Sequence, residues 1–263
     1  MLLRIEGRKH AYGERRDQFG ELTLPDAKAG AVGPDADGPF PVAVLIHGGF
    51  WRARYDLRLE HRLVEDLAGR GWAVWNLEYR RLGWRSRGGW PATFEDVAAG
   101  IDQLGRLHAP LDLGRVVGIG HSAGGHLAFW AAARPGLPAE APGAQPRIRL
   151  AAAVAQAGVL DLREAARLGL SRGAAQTLLG GPPGKLPLRY DLASPIERLP
   201  LGVPHLVVHG GADDVVPVEI ARRYADRAGD GCELSELPGV SHMEHLDPGS
   251  EAWRTVAVWL EAR

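Results

Sequence analysis

The sequence predicts an α/β domain built on a mostly parallel sheet, and three observations lead there. Short apolar runs rich in valine, isoleucine and alanine recur, each followed by a glycine-bearing turn and then by a longer stretch with helical spacing. The runs are mostly continuous rather than alternating, as expected of strands buried on both faces of a parallel sheet. The bulk numbers agree: 263 residues, 45% hydrophobic and 24% charged, fit one globular domain over residues 1–263 without a disordered or fibrous part.

Along the chain, the part up to about Pro41 reads as an opening antiparallel hairpin followed by a Gly/Pro/Asp-rich loop from Pro25 to Pro39. Strands are predicted at residues 42–46, 72–77, 116–119, 150–155, 206–209 and 233–237, and helices at 56–68, 94–107, 125–133, 219–227 and 251–261. Residues 158–203 form an insertion of helical and loop character that includes Gly180-Gly181-Pro182-Pro183-Gly184, where a small lid is expected.

Charge excludes some partners. With 31 basic and 32 acidic residues the formal charge is −1, so no net positive field is expected to hold a nucleic acid backbone or an anionic membrane. The arginines are scattered and read as compositional bias rather than as a binding run. Cys232 is the only cysteine, which rules out an internal disulfide and fits a reducing, cytoplasmic setting. Met1-Leu2-Leu3-Arg4-Ile5-Glu6 turns polar before an apolar signal core forms, and no later stretch is long enough to span a bilayer. The histidines are dispersed and the carboxylates lack ligand spacing, so neither metal nor organic cofactor is expected.

The strongest chemical signal is Gly120-His121-Ser122-Ala123-Gly124, which directly follows the apolar run Val116-Val117-Gly118-Ile119 and precedes a helix. A serine on such a sharp turn needs small residues two before and two after it, because side chains there collide with neighbouring backbone. Its hydroxyl is then presented above the sheet as a nucleophile, and the Ala123 N–H at the helix start is placed to bind an oxyanion. His47-Gly48-Gly49-Phe50-Trp51, at the end of an earlier strand, supplies the other half of an oxyanion hole, with Gly49 and Phe50 as donors and His47 as a brace.

The base is expected after the last strand, where Ser241-His242 stands; His245 competes from nearby. For the acid, Asp213 lies at the fixed interval from His209-Gly210 and keeps the chain order serine, acid, histidine; Asp214 reads as a helix cap and Asp161 as a third option. Trp51 and Trp90 are the candidate substrate-contacting aromatics, because Phe50, Trp51, Trp84 and Trp90 flank loops at strand ends, where this architecture binds ligands. Packing beneath the lid is the alternative for them.

On these residues the chain resembles the α/β-hydrolase superfamily over essentially its whole length. Within it, His47-Gly48-Gly49-Phe50-Trp51, Glu78-Tyr79-Arg80-Arg81 and Gly120-His121-Ser122-Ala123-Gly124-Gly125-His126 look like bacterial esterases close to the hormone-sensitive-lipase-like group and the arylformamidases. Phe50 replaces the third glycine of the lipase pattern, which brings the arylformamidase variant closer. The resemblance implies an eight-stranded sheet with helices on both faces, architectural roles for Tyr79 and Arg80, and a carboxylesterase of small or aryl esters. An arylformamidase or other amide hydrolase is the second expectation, and a non-catalytic binding protein on the same scaffold the third.

Overall fold

The computed structural model describes residues 7–25 and 38–263. The opening residues Met1–Glu6 and nearly all of the Pro25–Pro39 loop therefore lie outside the described residues. Eight strands form one sheet in the order β1-β2-β4-β3-β5-β6-β7-β8. In sequence these are β1 Arg8–Ala11, β2 Phe19–Thr23, β3 Phe40–Ile46, β4 Ala73–Leu77, β5 Leu111–His121, β6 Ala152–Gln156, β7 His205–Gly210 and β8 Cys232–Leu237. β1 and β2 pair antiparallel as the expected hairpin, β2 is antiparallel to β4, and every later pairing is parallel.

Alternate residues of each central strand feed two cores. Val42, Val44 and Ile46 of β3 point into the larger core, while Ala43 and Leu45 point into the other. The larger core is covered by α2 Ala92–Asp102, α3 Ala123–Ala132 and α7 Val218–Ala228, and the smaller by α1 His61–Gly69 and α8 Glu251–Glu261. That arrangement explains the continuous apolar runs, since a side chain on either face loses its water. Each fully buried Val, Leu, Ile or Phe contributes about 1.5–3 kcal/mol.

Two expectations shift at their ends. The predicted 56–68 helix opens as a 3₁₀ turn, Leu57–Glu60, which Asp56 caps by accepting from the Arg58 N–H, before α1 begins. β5 starts five residues before the predicted 116, because Asp112, Gly114 and Arg115 break the apolar run in its opening, where Leu111 and Asp112 nevertheless pair beside Phe40 and Pro41. Between β6 and β7 come α4 Leu162–Arg167, α5 Leu170–Leu179 and α6 Pro187–Ala193. This segment is tied to the body: the Trp90 N–H donates to Leu178 O, and His126 Nε2 donates to Ala193 O at 2.9 Å. Among the described residues no helix is long and apolar enough to cross a membrane.

One buried group carries a measurable cost. Glu60 is 1% exposed and its Oε1 has no hydrogen-bond partner, so burial pushes the carboxyl up to about 8. The folded chain then holds a proton that the unfolded chain releases near its ordinary value of 4.5, and stability falls as pH rises between the two values. Glu60→Gln is expected to match the wild type at about pH 4 and to exceed it by on the order of 3 kcal/mol at about pH 8, several degrees in Tm. Thermal unfolding across a pH series checks this, and a difference that stays flat with pH defeats it.

Candidate active site

β5 runs into Ser122, whose φ of 56° and ψ of −118° lie outside the regions open to most side chains, and α3 starts at the next residue. The glycines around it have no room. A Cβ on Gly120 would stand 2.2 Å from the Gly124 carbonyl, and one on Gly124 would stand 1.8 Å from Ile46 O. The elbow therefore packs main chain against main chain on the end of β3, and the Ser122 N–H donates to Gln156 O at 2.7 Å on β6. Such strain persists only where surrounding structure over-determines it, and it concentrates at functional sites.

The His47–Trp51 loop lies directly beside this serine. A Cβ on Gly48 would meet Ser122 Cβ at 3.1 Å, Gly49 takes φ 103°, and Phe50 and Trp51 are also left-handed at 49° and 56°. Among the described residues no turn or loop carbonyl accepts from the N–H of Gly49, Phe50 or Ala123, so all three remain available as donors. His47 Nδ1 lies 2.9 Å from Gly48 O and its Nε2 3.1 Å from Glu78 Oε1. Tyr79 stacks on the His47 ring at 4.4 Å and donates its hydroxyl hydrogen to His47 O. Arg80 instead grips Asp96 through Nε and Nη2, both at 2.7 Å, and fastens its own loop to α2.

His242 and Asp213 come together, with His242 Nδ1 2.7 Å from Asp213 Oδ2, and the His242 ring lies 4.6 Å from that of His121, the residue before the serine. Asp213 Oδ1 accepts from the N–H groups of Val215 and Val216, and His209 Nε2 stands 3.3 Å from Oδ2. Burial alone works to raise this carboxyl, but the His209 and His242 hydrogen bonds, the His242 charge and the Val216 N–H outweigh it and hold it well below the usual carboxylate range. A fixed carboxylate at Nδ1 orients the imidazole and leaves Nε2 free to take a proton. The loop is pinned from below as well: His121 Nε2 donates to His242 O at 2.9 Å, and a Cβ on Gly210 would stand 2.0 Å from Val240 O.

The competing residues have other surroundings. His245 is buried with neither ring nitrogen hydrogen-bonded, and burial, then the neighbouring His209 and His242, lower it to about 3. Asp161 caps α4 by accepting from the Glu164 N–H. The expected cap at Asp214 is a correction: it is exposed and bonds nothing at the start of α7, because the helix begins at Val218 and Pro217, three residues beyond Asp214, holds the capping position. Trp51 is 1% exposed and donates its indole N–H to His126 Nδ1, so it packs under the loop and offers no open wall. Trp90 is half-buried, edge-on to Phe94 at 5.1 Å. His209, His121 and Gln156, which bind the elbow and the acid from beneath, were not expected there. Their strand-end positions one residue before Gly210, one before Ser122 and at the end of β6 were the available signal.

A family model described as BD-FAE matches residues 32–227, three quarters of the chain. The chain belongs to the BD-FAE family. Its architecture is the α/β-hydrolase fold of esterase relatives. Among curated proteins the chain is similar to the probable carboxylic ester hydrolase LipM of Mycobacterium tuberculosis, 31% identical over 236 residues. That match covers 84% of this chain but 54% of LipM, so the chain spans about half the length of that relative. In fold it is similar to the Est2 esterase of Thermogutta terrifontis, with TM-score 0.74, 24% identity and coverage of 98% and 91% of the two chains. It is also similar to a bifunctional GH43-CE protein of Bacteroides eggerthii, with TM-score 0.78, 22% identity and coverage of 99% and 38%.

Proposed function

We propose that this BD-FAE chain is a serine carboxylesterase that cleaves small or aryl esters through an acyl-enzyme on Ser122. The observation that carries the reading is the Asp213–His242 pair at 2.7 Å, whose histidine is held through its carbonyl by His121, the residue before a serine in a strained strand-to-helix turn. His242 Nε2 takes the Ser122 hydroxyl proton as Oγ attacks the ester carbonyl, and the oxyanion is received by the N–H groups of Gly49, Phe50 and Ala123. Collapse breaks the ester C–O bond, and His242 returns the proton to the departing alcohol. Water, deprotonated by the same imidazole, then releases the acid. The carbonyl's developing charge meets dipoles already in place, which is where most of the rate gain in such sites arises.

Residues 158–203 act in this reading as a short cap over the pocket, supported by their ties to Trp90 and His126. Trp90 narrows the acyl side. A cytoplasmic location belongs to the proposal on the single thiol Cys232. The amide-cleaving alternative is favoured by one observation, the left-handed Phe50-Trp51 pair where the lipase pattern carries glycine.

A panel of p-nitrophenyl esters of rising chain length, run beside aryl formamides and proline-linked amides, tests both. The expected result is highest kcat/KM for acyl chains of about two to four carbons, since added methylenes gain about 0.8 kcal/mol each only where an open groove receives them. Trp90→Ala is expected to move the optimum toward longer chains. A formamide rate above every ester, or an optimum at about ten carbons, overturns the assignment, as does failure of the purified protein to react with a fluorophosphonate probe.

A further inference from the structure

We infer that the esters this site selects carry a carboxylate, read by a rim of arginines outside the oxyanion loop; the inference rests on the esterase reading above. The rim is assembled by three loops that follow β3, β4 and β6. Ala53 N–H donates to Leu82 O and Leu82 N–H to Trp51 O, which joins the first loop to the second. Arg52 Nη2 donates to Ser171 O at 2.5 Å, and Trp90 N–H to Leu178 O, which joins both to the third.

Residues 47–55, 79–94 and 165–190, which contain these loops, hold no aspartate or glutamate at all. The nearby arginines that have partners are accounted for: Arg58 with Asp56, Arg80 with Asp96, Arg81 with Glu78 and Asp17, and Arg167 with Glu164. Arg54, Arg85, Arg87 and Arg172 are exposed, and among the described residues none of the four has a carboxylate partner. Although the whole chain is close to neutral, this one edge is cationic.

Two features tie that charge to the site rather than to the general surface. Tyr55 lies flat against the oxyanion loop, so that a Cβ on Gly49 would be 2.4 Å from its ring, and Arg54 sits over the same ring at 4.5 Å with Nη2 donating to the Tyr55 hydroxyl. Arg54 is thus one ring beyond the candidate oxyanion donors. Arg85 is likewise laid over Trp84, which is 80% exposed. Arg87 and Arg172 hold left-handed φ of 57° and 58°, where glycine is the relaxed choice. Among the described non-glycine residues with positive φ, Phe50, Trp51, Arg87, Ser122 and Ala157 fall between the carboxyl end of a strand and the helix that follows, and Ser171 and Arg172 form a kink in α5 that Arg52 bonds. Backbone strain of this kind collects where ligands bind.

The chemistry selects the ligand. A guanidinium stays charged at every working pH and presents a planar fork that matches a carboxylate, and stacking on a ring holds that fork ready before the substrate arrives. Such a rim draws anionic substrate in, lowers KM, and weakens as salt screens it. The carboxylate it reads is a second one on the substrate, separate from the ester being cleaved.

The test compares kcat/KM within two matched pairs, each corrected for the uncatalysed rate: mono-p-nitrophenyl adipate against p-nitrophenyl hexanoate for a charge on the acyl side, and 3-carboxyphenyl acetate against 3-carbamoylphenyl acetate for a charge on the alcohol side. In at least one pair the anionic ester is expected to be favoured about tenfold or more at about 0.01 M salt, mostly through KM, with the preference shrinking at about 0.5 M. The triple variant Arg54→Gln, Arg87→Gln, Arg172→Gln is expected to bring that ratio close to one. Ratios near one in both pairs at low salt, or a preference that neither salt nor the triple variant changes, overturn the inference while hydrolysis of the neutral esters, lost in Ser122→Ala, keeps the esterase reading. No turnover of any of the four esters overturns both.

Discussion

Ser122→Ala is expected to lower kcat by about four orders of magnitude or more, with folding unaffected. The alanine keeps the Cβ that already sits beside Gly48, removes only the hydroxyl, and leaves the strained turn and its main-chain bonds to Gln156 in place. What remains is the oxyanion loop and the pocket, which by themselves retain a modest acceleration over water in other serine hydrolases. Stopped assays on a short aryl ester, with circular dichroism and thermal unfolding of the same sample, check the claim. A variant that keeps more than about a tenth of wild-type turnover has lost less than about 1.4 kcal/mol of barrier lowering, too little for a nucleophile.

His242→Ala is expected to be nearly as damaging, and Asp213→Asn to follow with a loss on the order of 10³–10⁴ in kcat. The aspartate change is milder because the side chain moves no proton itself. It offers an amide N–H where an acceptor is needed, so the imidazole turns to the wrong tautomer and Nε2 no longer accepts. The two losses should also fail to add, since the groups act as one unit. His245→Ala and Asp214→Asn serve as comparisons and should be mild: the first has no hydrogen bond on its ring, and the second lies in solvent. Matched assays in which either neighbour proves the more damaging position reverse the assignment.

The sheet was legible wherever burial wrote a run of apolar residues, as in β3, β4, β6 and β7. It was not legible in the first half of β5, where Asp112, Gly114 and Arg115 break the apolar run and only Leu111 and Asp112 pair, beside Phe40 and Pro41. The elbow glycines were readable because their constraint is steric and local, and the distances at Gly120 and Gly124 show the same collision that the spacing implied. Trp51 was harder. Its position after the oxyanion glycines suggested a substrate wall, but a left-handed turn at Phe50 and Trp51 swings the indole beneath the loop toward His126. The part played by His209 was not legible, because nothing in sequence tells that its Nε2, already 2.9 Å from Val216 O, also reaches Asp213. Contacts between residues distant in sequence, such as His121 with the His242 carbonyl, depend on register between strands and leave no local trace.

The clamping of the elbow, acid and base loops by main-chain contacts has a consequence for how this protein can change. The bonds that fix them run from Ser122 N–H to Gln156 O, from Gly211 N–H to Leu237 O and from Ala212 N–H to Val240 O, and none depends on a side chain at the mouth. The exposed rim residues Trp84, Arg85, Arg87 and Arg172 carry little of the packing. Preference is therefore separable from chemistry here: combinatorial libraries confined to the rim can retune which esters are accepted while the reacting groups keep their positions, and the same partition leaves natural drift free to diversify selectivity without passing through inactive intermediates.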